Sequence, residues 1–309
     1  MQSILNVALP VFGLILAGYI AARLKLLGAS STEALNKFVY YFALPAMLFL
    51  VMFRAPLERV VDREFLIAFC APLGVVFVIT VVWGRLVWRL RLADLSVQSL
   101  ASCYGNVGYM GVPLVSLAYG PEALPYAIAA TILTGSIMFG AGIMGVEADL
   151  RSGQGALKTF VGVLGTVARN PLIVAPAAGA AWALSGVPLF GPLKTFAELM
   201  GASASPCALF ALGMFLAAQP IRGELSEVAW LTVLKLAVAP IATYGVLVIL
   251  GEEHSLVGKT ALLLNALPTG AGAFVLAQKY DRLVAQTSAT ILVSTILSVL
   301  TVSALLAVG

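Results

Sequence analysis

The chain has 309 residues, of which 61% are hydrophobic and 10% are charged, and its mean hydropathy is +1.02. Soluble domains carry roughly 25% charged residues, so this composition excludes an ordinary soluble protein and predicts an all-α membrane protein in contact with the lipid bilayer. The net charge of +4 comes from scattered basic residues, and the three cysteines lack disulfide or metal spacing, so we expect no nucleic acid, metal or cofactor.

Ten apolar segments are long enough to cross a bilayer as helices. A hydrocarbon core of about 30 Å needs about 20 helical residues for each crossing. Between the fifth and sixth segments, residues 156–169 alternate apolar and polar side chains, which predicts an interfacial helix. The predicted spans are 3–22, 34–53, 64–84, 95–118, 122–147, 170–187, 193–218, 225–250, 257–279 and 283–307.

The distribution of basic residues predicts the orientation. With ten spans both termini lie on one side, and of the 18 Lys and Arg residues twelve fall in one set of loops and helix ends and five in the other. Cytoplasmic loops are enriched in Lys and Arg, so we expect a multi-pass protein of the inner (plasma) membrane with both termini on the outer side.

Residues 105–114 predict an interruption in the fourth span. Pro113 has no amide to donate to the carbonyl of Tyr109, and Gly105, Gly108 and Gly111 lower the cost of non-helical backbone just before it. Lipid cannot satisfy the freed backbone groups, so they must be enclosed by protein or face a wet cavity. In transporters such breaks are where solute binds.

A second break of similar composition, at residues 265–272 in the ninth span, indicates an internal duplication. Residues 45–49 (PAMLF) recur as 206–210 (PCALF), 161 residues later, and Asn106 recurs as Asn265, 159 residues later. Because five spans is an odd number, the halves 1–149 and 170–309, joined by a linker at 150–169, insert in opposite senses. The prediction is therefore a 5+5 inverted repeat whose two broken helices cross near the midplane.

The motif GNVGYMGVPL at 105–114, with LNKF at 35–38, LPAMLF at 44–49 and Asn170-Pro171, resembles the auxin efflux carrier family. That family includes plant PIN-type auxin exporters and bacterial permeases for malonate or malate. The resemblance implies the fold of bile-acid sodium symporters and sodium/proton antiporters, with a scaffold of spans 1, 2, 6 and 7 and a transport domain of spans 3–5 and 8–10. It also implies a homodimer.

The breaks supply the candidate binding groups. Helix N-termini present unpaired amides that bind anions, and the two asparagine side chains both donate and accept. The alternative is that these residues only cap and close-pack the crossing. The candidate solute-binding residues at the breaks are Asn106, Gly108, Tyr109, Met110, Gly111, Val112, Pro113, Asn265, Pro268, Thr269, Gly270 and Ala271.

Lys235 completes the candidate site, because it is the one basic residue well inside a predicted span. It lies ten residues, or about 15 Å, into span eight. It could supply the counter-charge for an anion, or a fixed cation replacing the sodium of related symporters. The alternative is a lysine that snorkels to the headgroups.

The sequence leaves the coupling ion open. We find no carboxylate at the predicted crossing, which a proton antiporter of this fold normally needs. Sodium could bind through carbonyls and hydroxyls, although such hydroxyls more commonly serve helix packing. The candidate sodium-binding hydroxyls are Ser102, Thr134, Thr287 and Thr290.

The favoured function is a secondary active or facilitative carrier of a small organic anion, an auxin-like carboxylate or a dicarboxylate, working by an elevator-type mechanism. The first alternative is a sodium-coupled malonate or malate symporter. A channel is a second alternative and an intramembrane enzyme a more distant one, because the only histidine, His254, lies in a predicted loop and no G-x-S-x-G occurs.

Overall fold

A computed structural model of the protein describes residues 7–54, 62–150, 169–219 and 224–308. Within these ranges the chain is helical apart from short connections, and the only β pairing is a single antiparallel bridge between Gly105 and Thr269. The interfacial helix predicted at 156–169, and nearly all of the predicted linker at 150–169, lie outside the described residues.

The helices follow the apolar segments of the sequence. Those of the first half are α1 (Leu9–Arg23), α2 (Ala29–Phe38), α3 (Leu44–Arg54), α4 (Arg63–Leu86), α5 (Leu92–Cys103), α6 (Val112–Tyr119), α7 (Leu124–Ile132) and α8 (Phe139–Leu150). Those of the second half are α9 (Pro171–Leu184), α10 (Gly191–Ala202), α11 (Ala204–Ala218), α12 (Leu225–Val233), α13 (Ala239–Leu250), α14 (Leu256–Asn265), α15 (Ala271–Tyr280) and α16 (Val284–Val308). Short π-helical turns at Val39–Ala43, Leu133–Met138 and Leu234–Val238 join neighbouring α-helices, and a fourth, Val107–Gly111, leads into α6.

Six helical runs in the described part of the chain are long and apolar enough to cross a membrane, judged by length and composition. They are Ala29–Arg54, Arg63–Leu86, Pro121–Leu150, Gly191–Ala218, Leu225–Leu250 and Val284–Ala307. The other four predicted spans contain shorter helices, because α1 and α9 have 15 and 14 residues and predicted spans four and nine are interrupted. A multi-pass helical membrane protein is thus confirmed, and the count of ten spans stays a prediction.

Three prolines follow π-helical turns at the same offset. Pro45, Pro113 and Pro240 each lie two residues beyond the last residue of such a turn. A proline inside an α-helix lacks the amide for the carbonyl four residues earlier, and its ring collides with that carbonyl. A turn widened to i→i+5 bonding moves the carbonyl away, so the chain stays helical past each proline.

The interruption in the fourth span is therefore shorter than predicted. Residues 104–106 are non-helical, and the chain is helical again from Val107. We had expected the interruption to extend through Pro113, but the preceding π turn accommodates that residue inside the helical run. The second interruption covers residues 266–270, so Pro268 lies within it.

The residues form two compact units. Unit 1 comprises Met1–Asp62, Gly108–Ala129 and Ala168–Ala218, and unit 2 comprises Arg63–Val107, Ala130–Val167 and Gln219–Gly309. The chain passes from unit 2 into unit 1 directly after the first interruption. The division into a scaffold and a transport domain stays a prediction.

Glycines set the close helix contacts of unit 1. A Cβ on Gly18 of α1 would lie 2.0 Å from the carbonyl oxygen of Phe210 in α11, and one on Gly179 of α9 would lie 2.3 Å from that of Phe49 in α3. No side chain fits at such distances, so these helix pairs touch backbone to backbone. Gly179 follows Gly18 by 161 residues, and Phe210 follows Phe49 by the same number.

Unit 2 is built around α5, which is buried from Val97 to Cys103 without a break. Its small and aliphatic side chains pack against α8 and α15, including Val146 and Leu276. Because α5 ends at the first interruption, this enclosure fixes residues 104–106 inside the protein.

Candidate functional site

The two interrupted stretches pair with each other inside unit 2. The amide of Asn106 donates to the carbonyl of Pro268 at 2.9 Å, and the amide of Gly270 donates to the carbonyl of Tyr104 at 2.8 Å. These are the backbone groups that leaving the helix would otherwise strand in an apolar interior. The pairing holds the C-terminal ends of α5 and α14 at one place.

Glycine at position 270 is required by this close approach. A Cβ there would lie 2.9 Å from both the carbonyl oxygen of Gly105 and the ring of Tyr104. The neighbouring Thr269 is fixed twice, because its amide donates to the Ser294 hydroxyl at 3.1 Å and its own hydroxyl donates to the Ala101 carbonyl at 2.7 Å. The second break is consequently a rigid piece of unit 2.

Lys235 is fully buried beside the paired breaks. Its ammonium donates to the carbonyl oxygen of Asn265 at 2.8 Å, and Nζ lies 3.5 Å from the position that a Cβ on Gly105 would occupy. The carbonyls at the end of α14 carry the negative end of the helix dipole, which favours a cation there. Complete burial excludes the snorkelling alternative.

The Lys235 ammonium has more protons than partners. An ammonium carries three donors, and within the described residues the Asn265 carbonyl is its one hydrogen-bond acceptor and no carboxylate forms an ion pair with it. A buried cation without a counter-charge is costly in free energy, so this position favours a negatively charged ligand.

The two asparagines are bonded differently. The side-chain amide of Asn265 donates to the carbonyl of Phe69 at 3.2 Å and to the hydroxyl of Thr243 at 3.0 Å, so it ties together three helices of unit 2. Asn106 is 4% exposed, and its Nδ2 has no partner within the part of the chain that the structure describes. Asn106 therefore holds a buried donor that a solute could use, whereas the Asn265 amide is occupied.

The amides at the helix starts are also unequal. The Thr269 and Gly270 amides are already bonded within unit 2, which leaves Ala271, the first residue of α15, as the amide of this predicted group at a helix N-terminus. After the first break the helical run begins at Val107, so Gly111 and Val112 lie deeper in it than we predicted.

The predicted residues divide between the two units. Unit 2 brings together Asn106, Lys235, Asn265, Pro268, Thr269, Gly270 and Ala271. Gly108, Tyr109, Met110, Gly111, Val112 and Pro113 belong to unit 1. There Tyr109 packs against the core cluster formed by residues such as Val39 and Ala204.

Two of the four candidate sodium-binding hydroxyls bond within their own helix, and a third bonds a hydroxyl of a neighbouring helix. Thr134 and Thr290 donate to the carbonyls of Ala130 and Gln286 four residues earlier, at 2.7 and 2.8 Å. Ser102 bonds Thr80 at 2.8 Å, and Thr287 is buried at 1% exposure. Among the described residues, no group of three or more His, Cys, Asp or Glu could hold a metal ion.

Two features were not predicted from the sequence. In unit 1, a cavity of about 530 Å³ is lined by Arg54, Glu122 and Glu198, and Arg54 pairs with Glu198 at its rim. In unit 2, Glu227 is buried at 4% exposure although its position at the edge of a predicted span indicated a solvated residue. The sequence did contain a sign of this burial. Four-residue intervals place Glu227, Leu231 and Lys235 on one face of the helix.

Known proteins are similar to this one over nearly its whole length. The family model described as "Membrane transport protein" matches residues 3–152 and 159–306. A protein of Rhizobium meliloti (strain 1021) named "Putative malonate transporter" is 34% identical over 99% of this chain and 96% of its own length. The "Uncharacterized transporter YfdV" of Escherichia coli (strain K12) is 25% identical over 88% of this chain and 87% of its own length. An "Uncharacterized transporter" of Methanothermobacter thermautotrophicus is 26% identical over 94% and 93%.

Proposed function

This chain belongs to the membrane transport protein family, the family of the auxin efflux carriers, and from that membership we propose that it carries a small organic anion across a membrane. The family and its named relatives are transporters, which confirms the prediction that the chain is a membrane transporter rather than an enzyme.

The observation that carries the proposal is the set of unmatched donors at the paired breaks. The Lys235 Nζ lies 3.5 Å from the position of a Cβ on Gly105, the residue that precedes Asn106. Both the Lys235 ammonium and the Asn106 Nδ2 have hydrogen-bonding capacity that no described group uses. A carboxylate accepts charge-assisted hydrogen bonds from such donors and supplies the counter-charge that the ammonium lacks. The site thus fits one carboxylate of a small acid.

Malonate is the solute with which we test the proposal. The relative with 34% identity is named for malonate transport, and the match covers nearly all of both chains. A second carboxylate would need a further polar contact. An auxin-like monocarboxylate is the alternative solute and needs only the Lys235 and Asn106 contacts.

The 161-residue offset supports the inverted repeat as part of the proposal. The close contacts Gly18 to Phe210 and Gly179 to Phe49 exchange under this offset, as two oppositely inserted copies would require. We therefore retain ten spans in a 5+5 repeat, both termini on the outer side of the plasma membrane, and a homodimer. Transport would follow an elevator-type motion of spans 3–5 and 8–10 against spans 1, 2, 6 and 7.

Lys235 also bears on sodium coupling. Its ammonium lies where the carbonyls at the end of α14 would otherwise attract a metal cation. We therefore favour a fixed lysine cation in place of sodium. Sodium-coupled dicarboxylate symport is the alternative, with the hydroxyls of Ser102 and Thr287 as ligand candidates.

A thermal-shift screen of the purified protein tests the solute and the ion together. Malonate at 100 times its dissociation constant should stabilise the wild type by about 2.7 kcal/mol, and sodium should add nothing. In Lys235→Ser, sodium should stabilise the protein in place of the lost ammonium, and malonate should not. Absence of stabilisation by any carboxylate would contradict the solute class, and a sodium requirement in the wild type would favour the symport alternative.

A further inference from the structure

Glu227 and Gln98 form a buried hydrogen-bonded pair in unit 2 that the paired breaks do not use. Gln98 on α5 is fully buried, Glu227 in the first turn of α12 is 4% exposed, and the Gln98 amide donates to the Glu227 carboxylate at 2.7 Å. Within the described residues no lysine, arginine or histidine forms an ion pair with Glu227. A carboxylate in this position has only neutral amides, those of Gln98 and Gln286, to offset its loss of water.

The charged and polar groups around Glu227 do not supply a cation. The carboxylates of Glu224, in its own segment, and Asp94, on α5, oppose a negative charge on Glu227, whereas the Gln286 side chain of α16, like that of Gln98, hydrogen-bonds to it and favours the charge. Asp94 is itself paired with Arg282 at 3.5 Å. The surroundings therefore favour a neutral side chain at position 227.

The partner amide has an acceptor that lacks a donor. Gln98 Oε1 is buried and has no hydrogen-bond partner among the described residues. It packs against Gly84 of α4, where a Cβ would lie only 2.5 Å from it. The bond to Glu227 therefore leaves the Gln98 amide only partly satisfied.

We propose that Glu227 is a proton-binding site that couples solute movement to proton movement, an inference that rests on the proposed anion transport. Glu227 and Lys235 lie on one face of a continuous helical run, eight residues or about 12 Å apart. A proton from the aqueous phase adds to a carboxylate oxygen of Glu227 and leaves from the same atom, so only an O–H bond forms and breaks.

Charge balance explains the coupling. The positive charge of Lys235 can offset only one buried negative charge, which comes from a solute carboxylate when the carrier is loaded and from an ionised Glu227 when it is empty. Without the proton, unit 2 would carry an uncompensated buried carboxylate whenever solute is bound, which is costly at membrane depth. The loaded carrier therefore moves with its proton, and the process is symport.

Infrared spectroscopy of the purified protein tests the proton site without any solute. On lowering the pH the wild type should gain the carbonyl band of a buried carboxylic acid. The band should be absent in Glu227→Gln and retained in the matched control Glu224→Gln, whose side chain is exposed. Identical spectra of all three proteins would overturn the proposal. If Glu227→Gln does not fold, Gln98→Ala tests the proposal instead. Loss of the Gln98 donor must shift the carbonyl band of Glu227, and an unshifted band would overturn the pairing.

Proteoliposomes containing a trapped pH indicator test the coupling. Malonate uptake by the wild type should acidify the lumen, and Glu227→Gln should lose this acidification while Glu224→Gln keeps it. Malonate uptake that acidifies equally in Glu227→Gln would overturn the coupling and leave the proposed function standing. A Glu227 infrared band without malonate uptake would leave the proton site standing and contradict the proposed solute.

Discussion

Asn106 and Asn265 occupy corresponding places in the two breaks, but only one of them has a free donor. The Asn265 amide bonds Phe69 and Thr243, whereas the Asn106 Nδ2 is buried without a partner in the described chain. A buried polar group that the fold leaves unsatisfied costs free energy unless a ligand uses it. We therefore propose solute contact for Asn106 and a positioning role for Asn265, whose carbonyl accepts the hydrogen bond from Lys235.

Alanine substitutions should separate these roles. Asn265→Ala removes two buried hydrogen bonds and leaves a cavity at the junction of three helices, so we expect a loss of about 1 to 3 kcal/mol in the free energy of unfolding. Asn106→Ala removes a side chain whose Nδ2 has no partner, so its stability should stay close to the wild type. Thermal unfolding of both variants in the same detergent measures the difference, and equal destabilisation would contradict the assignment.

At the residue level the sequence predicts which side chains carry useful chemistry better than it predicts their hydrogen-bond partners. An isolated lysine inside an apolar span was recognisable, and the structure places Lys235 beside Asn265. The different bonding of the two asparagines depends on Phe69 and Thr243, residues 196 and 22 positions away from Asn265 along the chain, which no local pattern reveals. Glu227 was missed for the same reason, because its burial depends on α5.

At the level of elements, local composition predicts that a helix will be interrupted but not where. Gly105 and the prolines indicated both breaks, yet the chain resumes its helix at Val107 and passes Pro113 without leaving it. Whether a proline breaks a helix or follows a widened turn depends on what the freed carbonyl can bond and how the neighbours pack. Both depend on tertiary packing, which local composition does not reveal.

The glycine contacts of unit 1 should be sensitive to a single methyl group. Gly18→Ala and Gly179→Ala each place a Cβ within 2.3 Å of a backbone oxygen, so the helices must separate, and we expect each to lose about 1 to 3 kcal/mol of stability. Gly13→Ala is the matched control on α1, because its Cβ would meet nothing within 4 Å. Thermal unfolding compares the three variants, and unchanged stability in Gly18→Ala would contradict the backbone contact.

For the whole molecule, composition was sufficient to identify a multi-pass membrane protein, and the span-four motif was sufficient to identify the family. The unit boundaries were not accessible in this way. The fourth span divides between the units at Val107 and Gly108, because residues 104–106 pair with the second interruption in unit 2 and Tyr109 packs with the core of unit 1. The length of an apolar segment predicts a membrane crossing, but it does not predict which helices pack on either side of that segment.

Malonate counterflow in proteoliposomes tests most directly the claim that the unmatched donors at the paired breaks bind a carboxylate. Labelled malonate outside vesicles loaded with unlabelled malonate should accumulate transiently and saturably with the wild type. Vesicles containing correctly folded Asn106→Ala protein should show none. Wild-type flux no greater than that of protein-free vesicles, or counterflow by Asn106→Ala equal to the wild type, would contradict the account.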